Sequence, residues 1–240
     1  MLKALLMEFI GTFFLMFVFA ASGNAIAVAL VLMLMIYVGA NVSGGQYNPA
    51  VTFGLFVAGK LSSDKVVGYI ITQFLAALSA IAVFGLLGGK DLVVRPAEGA
   101  TLMQAALAEI IFTFSLVLTV FMTMIDRKHI ENSYFGLAVG LNVLVGAFSV
   151  GNISGGVFNP VLGIAPQIYR LFTGSNVMPE VIALYIVAPM FGGLLAAIVY
   201  GILGTKEKHT HEHKEVEEEK HHHHKSVDEL NLDTLVASES

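Results

Sequence analysis

Residues 42–50 read V-S-G-G-Q-Y-N-P-A, and residues 153–161 read I-S-G-G-V-F-N-P-V. The two Asn-Pro pairs, starting at Asn48 and Asn159, lie 111 positions apart (159 − 48). Proline fits the first turn of a helix, where its missing N–H would have no partner. Asparagine directly before it is a good N-cap. Each pair therefore predicts a helix start, with helices over about 48–58 and 159–170. Both are too short to cross a bilayer, which takes roughly 20 apolar residues. Paired short apolar segments interrupted by glycine and proline mark the binding sites of transport folds built from two matching halves.

Composition agrees with a membrane setting. Of 240 residues, 56% are hydrophobic and 13% charged, and the mean hydropathy is +0.77. A soluble domain carries about 25% charged residues. The charge is unevenly spread. Residues 1–203 hold 8 Lys/Arg and 8 Asp/Glu, whereas 204–240 hold 5 and 10, so the whole net charge of −5 sits in the tail. Cysteine is absent, which excludes disulfides and thiol chemistry. The chain has no basic patch for nucleic acid. No cleavable signal peptide is expected, because the first apolar run continues straight into the fold.

Six stretches are long enough to span, at about 4–22, 25–42, 65–88, 102–125, 133–150 and 180–203. With the two short helices they predict an all-α membrane protein of six transmembrane helices and two re-entrant half-helices. The membrane domain covers 1–203, in repeats 1–88 and 102–203, joined by a polar linker at about 89–101. The repeats also share E-F-I-G-T-F-F-L from Glu8 and E-I-I-F-T-F-S-L from Glu109. Three spans per repeat force opposite orientations, hence an inverted repeat. Lys3, Lys60, Lys65, Arg127, Lys128, Lys206 and Lys208 fall on one side; Lys90, Arg95 and Arg170 fall on the other. The positive-inside rule then puts both termini in the cytoplasm. Residues 204–240, rich in His, Glu and Lys, cannot bury a core and are expected to be disordered.

If the two half-helices meet tip to tip, their positive dipole ends face one point. Asn48 and Asn159 then offer amide donors to a neutral hydroxylated solute, while a cation meets two positive ends. Irregular backbone at membrane depth is tolerated where it lines a cavity or is buried. Gly44, Gly45, Gly155 and Gly156 suit such tight turns. Glu8 and Glu109 are acidic residues in span interiors, where carboxylates are costly. Their symmetry favours a scaffolding role, accepting hydrogen bonds from the re-entrant backbone of their own half, over a proton relay. The tail histidines His209, His211, His213, His221, His222, His223 and His224 are zinc-type ligands without fixed geometry. We read them as part of a solvated polar tail, with no metal site and no cofactor. The glycine pairs Gly136/Gly140 and Gly85/Gly89 are spaced for close helix contact.

These stretches resemble the aquaporin (major intrinsic protein) family over about residues 4–203. The resemblance rests on E-F-I-G-T-F from Glu8, S-G-G-Q-Y-N-P-A-V-T-F-G from Ser43, the second N-P-V from Asn159, and Y-I-V-A-P-M-F-G-G from Tyr185. It implies a homotetramer with one pore per subunit. It also makes Asn48, Pro49, Ala50, Asn159, Pro160 and Val161 the pore signature. The second signature ends in Val161 where the family has alanine. At Leu162 the family normally has arginine. The other narrow-filter positions correspond to Val28, Ala147 and Gly156. A ring of Val, Ala, Gly and Leu is wide, apolar and lacks the cation-repelling charge. The implied permeants are water and small uncharged solutes such as glycerol or urea; the opposing reading is that an apolar ring dewets and slows water. Gly163, Gln167, Tyr185 and Ile186, positions that separate water from glycerol members, point both ways.

Rival readings differ in what they require. An ion-coupled secondary transporter needs charged ligands at mid-membrane, and the spans lack free Asp, His or Lys there. A metal carrier rests on the histidine tail alone. A poorly conducting structural membrane protein is suggested by Leu162. No nucleophile–base pair or phosphate-cradling loop points to an enzyme.

Overall fold

The computed structural model describes residues 1–126 and 132–205. Arg127, Lys128 and the whole histidine tail therefore lie outside the described residues. Within them the chain is helical and contains no strand. Its elements are α1 (Leu2–Ser22), α2 (Ala25–Ser43), α3 (Pro49–Val57), α4 (Ser63–Leu86), α5 (Leu102–Val120), α6 (Phe135–Ser154), α7 (Pro160–Phe172) and α8 (Pro179–Leu203). A π-helical turn, Phe121–Ile125, extends α5.

Six of these helices are long and apolar enough to span: α1, α2, α4, α5 with its extension, α6 and α8. The short α3 and α7 have 9 and 13 residues. At 1.5 Å per residue they reach about 14 and 20 Å, short of the roughly 30 Å apolar core. The spans match their predicted limits to within a few residues. The fifth is the largest exception: α6 runs on to Ser154, directly into the second signature loop.

Packing follows the repeat. In the first half α1 packs on α2 and α4; in the second, α5 packs on α6 and α8. The halves interlock, because α3 lies against α8 and α7 against α4. Helices in lipid gain no hydrophobic drive toward one another, so close packing has to hold them. Small residues supply it. A Cβ on Gly193 would meet the Ala50 carbonyl of α3, and one on Gly140 would meet the Ala29 carbonyl of α2. Gly136, one turn earlier, faces the Tyr37 ring. That glycine pair serves packing inside the subunit. Gly85/Gly89 does not form a helix-face pair: α4 ends at Leu86, and Gly89 turns back onto Phe84. Outward faces carry large apolar side chains such as Phe14, Val38, Ile71, Phe148 and Val187.

The linker at 89–101 is more tightly held than its polar composition suggests. Val94 is buried, and its carbonyl accepts a 2.9 Å bond from Gln167 Nε2 on α7. The Ala97 N–H donates to the Ile153 carbonyl at 3.0 Å. Thr101 and Gln104 then close a reciprocal capping box that starts α5.

Candidate functional site

Each signature loop begins where a helix ends on a left-handed glycine. α2 is capped by Gly44 (φ 93°) and α6 by Gly155 (φ 87°). The following glycines, Gly45 and Gly156, also have positive φ. Two residues further on, each loop places an aromatic in the same region: Tyr47 at φ 51° and Phe158 at φ 50°. For a bulky L-residue this conformation costs on the order of 1–3 kcal/mol and persists only where its surroundings enforce it. Nothing in the sequence motif signals it.

The enforcing contacts are visible on both sides of each aromatic. The Tyr47 N–H donates to Glu8 Oε2 at 2.7 Å, and the Phe158 N–H donates to Glu109 Oε2 at 2.6 Å. Glu8 Oε1 accepts from the Gln46 N–H at 2.9 Å and from Ser43 Oγ at 2.6 Å. Glu109 Oε1 accepts from the Val157 N–H at 2.9 Å and from Ser154 Oγ at 2.7 Å. Both carboxylates are fully buried. A buried charge is tolerable only when its lone pairs are filled this way. Tyr69 and Tyr185 hold the loop entrances, donating to the Ser43 and Ser154 carbonyls at 2.8 and 2.5 Å.

The asparagines join the halves. Asn48 Oδ1 accepts from the Ala50 N–H, and Asn159 Oδ1 from the Val161 N–H, so each caps its own half-helix. Asn48 Nδ2 donates to the Phe158 carbonyl at 2.9 Å, and Asn159 Nδ2 donates to the Tyr47 carbonyl at 3.0 Å. Each strained aromatic is thus tied to its own half's glutamate through its N–H and to the other half's asparagine through its carbonyl. A primary amide carries two N–H bonds. One of each pair is committed to this cross-brace, which leaves one for a passing molecule.

Both asparagines line a cavity of about 340 Å³. Val28, Ala147, Gly156 and Leu162 line it as well, so the four sequence-selected filter positions share one wall space with the signature pair. Leu162 stands in the first turn of α7 and is buried. Along α6 the cavity reaches from Val139 to Gly151, twelve residues or about 18 Å. The rest of its wall is mainly aliphatic, with Asn24 and Gln46 as further polar side chains. Among the described residues, no Asp, Glu, His, Lys or Arg lines it. Pro49, Ala50, Pro160 and Val161 lie behind the tips and start the half-helices. Gly163, Gln167, Tyr185 and Ile186 do not line the cavity either. Gly163 abuts Tyr185, and Gln167 holds the linker.

Sequence reasoning missed Gln73. From α4 its Nε2 donates to Glu8 Oε2 at 2.9 Å and to Thr52 Oγ1 at 3.0 Å. A lone glutamine inside an apolar span was the available signal, since polar groups at membrane depth need partners. Among the described residues, no group of three or more His, Cys, Asp or Glu side chains is arranged to hold a metal.

The architecture and its sequence both have known counterparts. An aquaglyceroporin structure from Plasmodium falciparum superposes with a TM-score of 0.72 at 23% identity, covering 83% of this chain and 95% of that one. A probable TIP-type aquaporin of Medicago truncatula is 34% identical, over 87% of this chain and 89% of its own length. Aquaporin TIP1-1 of Zea mays is 35% identical, over 88% and 90%. The sequence pattern of the Major intrinsic protein family matches residues 1–200. With six spans, two opposed half-helices and a paired asparagine tip, this chain is an integral multi-pass membrane protein of the major intrinsic protein family.

Proposed function

We propose that the protein is a passive channel, not an enzyme, for water and small uncharged solutes. The observation that carries this reading is the cavity itself: two helix N-termini and two asparagine amides meet in a conduit with no titratable side chain among the described residues on its wall. Converging positive dipole ends disfavour cations, and spare amide N–H groups suit neutral hydrogen-bonding molecules. Ion coupling lacks a ligand there. The names of the relatives, aquaporins and an aquaglyceroporin, agree with this class of permeant.

Val28, Ala147, Gly156 and Leu162 form the selectivity ring in this reading. Its small apolar side chains pass glycerol or urea alongside water, because Leu162 stands where the family has arginine. Glu8 and Glu109 are scaffold carboxylates that keep the loops in shape. The subunit assembles as a homotetramer, and both termini face the cytoplasm. The histidines of residues 209–224 are dispensable for permeation.

The test is stopped-flow light scattering on proteoliposomes with water, glycerol and urea. The reading expects flux linear in solute gradient and independent of ions. Saturable, proton-driven uptake would overturn it. Leu162→Arg should cut glycerol and urea flux more than water flux, and an unchanged ratio would move the constriction elsewhere.

A further inference from the structure

Gln46 is the residue of the first signature loop that the scaffold leaves unused. Its backbone is fixed, with the N–H bonded to Glu8 Oε1 at 2.9 Å. Its side chain lines the cavity and is 6% exposed. Among the described residues, neither end of its amide is hydrogen-bonded, and Oε1 is fully buried without a partner. A buried amide oxygen left unsatisfied carries a penalty comparable to a lost hydrogen bond, so such a group calls for an explanation. The terminal torsion of glutamine is broad and roughly two-fold, so a half-turn about it exchanges the Nε2 and Oε1 ends of the amide.

Position matters as much as chemistry. Val28 lies near the start of α2 and Gln46 just beyond its end. The loop folds back so that Gly45 lies against Ile36 and Ala40, and the apolar ring and the free amide therefore sit at different depths along that helix. The matching residue of the second loop, two before Asn159, is Val157. It also lines the cavity, but it offers no hydrogen bond. At these matching loop positions the wall thus carries an amide in one half and an aliphatic side chain in the other.

Resting on the channel reading above, we propose that Gln46 is a specificity-determining residue. It is a solute-binding station whose amide accepts and donates hydrogen bonds to small carboxamide-type solutes such as urea. The spare asparagine N–H groups are donors only. Gln46 adds a side-chain acceptor for a solute rich in N–H groups in a mainly aliphatic conduit. Water, with less to desolvate, depends on it less.

The test replaces Gln46 with methionine, which keeps length and volume but removes both hydrogen-bonding ends. Gln46→Asn keeps the amide. Permeabilities are measured in proteoliposomes and normalised to reconstituted protein. Gln46→Met should lower urea permeability about five-fold, the size of one net hydrogen bond, with water changed less than about two-fold. Gln46→Asn should recover most of the urea flux. A conducting Gln46→Met protein with the unaltered urea-to-water ratio overturns the proposal. So does equal loss of both fluxes in Gln46→Met and Gln46→Asn, which is what a purely structural residue gives. If the unaltered protein passes neither water nor urea, the channel reading itself fails, and this inference falls with it.

Discussion

Glu8 and Glu109 occupy matching points of the two halves and make matching bonds to their loops, but what surrounds them differs. Four residues after Tyr69 stands Gln73; four residues after Tyr185 stands Pro189. Four residues after Asn48 stands Thr52, which donates to the Asn48 carbonyl at 3.1 Å; four after Asn159 stands Gly163. Tyr47 anchors its hydroxyl on the Met35 carbonyl at 2.8 Å, while Phe158 has no hydroxyl. Three residues after Glu8 stands Gly11, which leaves room for the Tyr47 ring. Three after Glu109 stands Phe112, tilted on Phe158 with ring centroids 5.5 Å apart. Beyond the bonds the halves share, the first braces its loop with further hydrogen bonds and the second with apolar packing. What both keep, the carboxylate, the serine, the strained aromatic and the asparagine, is therefore what the geometry requires.

The largest effect should come from removing a carboxylate. Glu109→Ala strands the Val157 and Phe158 N–H groups in a buried site. At roughly 1–3 kcal/mol per unpaired donor, the protein should lose several kcal/mol or fail to fold. Glu8→Ala should be milder by about 1 kcal/mol, because the unpartnered Oε1 of nearby Gln73 can take over one donor. Thermal unfolding in detergent ranks the two, and a more damaging Glu8→Ala would break the comparison.

A methyl group added at Gly163 runs into the side chain of Tyr185. Overpacking of this kind costs about 1–3 kcal/mol, so Gly163→Ala should lower the unfolding temperature. The first half has a threonine at this point, and tolerance of alanine would show the second half to be looser than its packing implies.

Gln73→Leu removes a donor from Glu8 but leaves the two backbone bonds in place. We expect a loss of about 1–2 kcal/mol, read as a lower unfolding temperature with the urea-to-water flux ratio unchanged. The smallest change should be Tyr47→Phe, which makes the first loop resemble the second. Losing the bond to Met35 should cost about 1 kcal/mol. A loss of several kcal/mol would mean that the hydroxyl, and not the ring, holds the strained backbone.

The doubled motif, the six spans, the two stub helices and the symmetric glutamates could all be read from the chain alone. Each is a local signal: an Asn-Pro cap, a run of apolar residues, or a carboxylate where carboxylates are costly. The four filter positions came from resemblance, and the structure gathers them around one cavity with the asparagines. Tertiary structure alone decided the positive φ of Tyr47 and Phe158, the crossed bonds from Asn48 to Phe158 and from Asn159 to Tyr47, and the unspent amide of Gln46. Those features depend on partners more than a hundred residues apart, or on a side chain that no neighbour satisfies. Sequence periodicity fixes which residues share a helix face, but only the packed fold determines which polar groups find one another and which are left facing the pore.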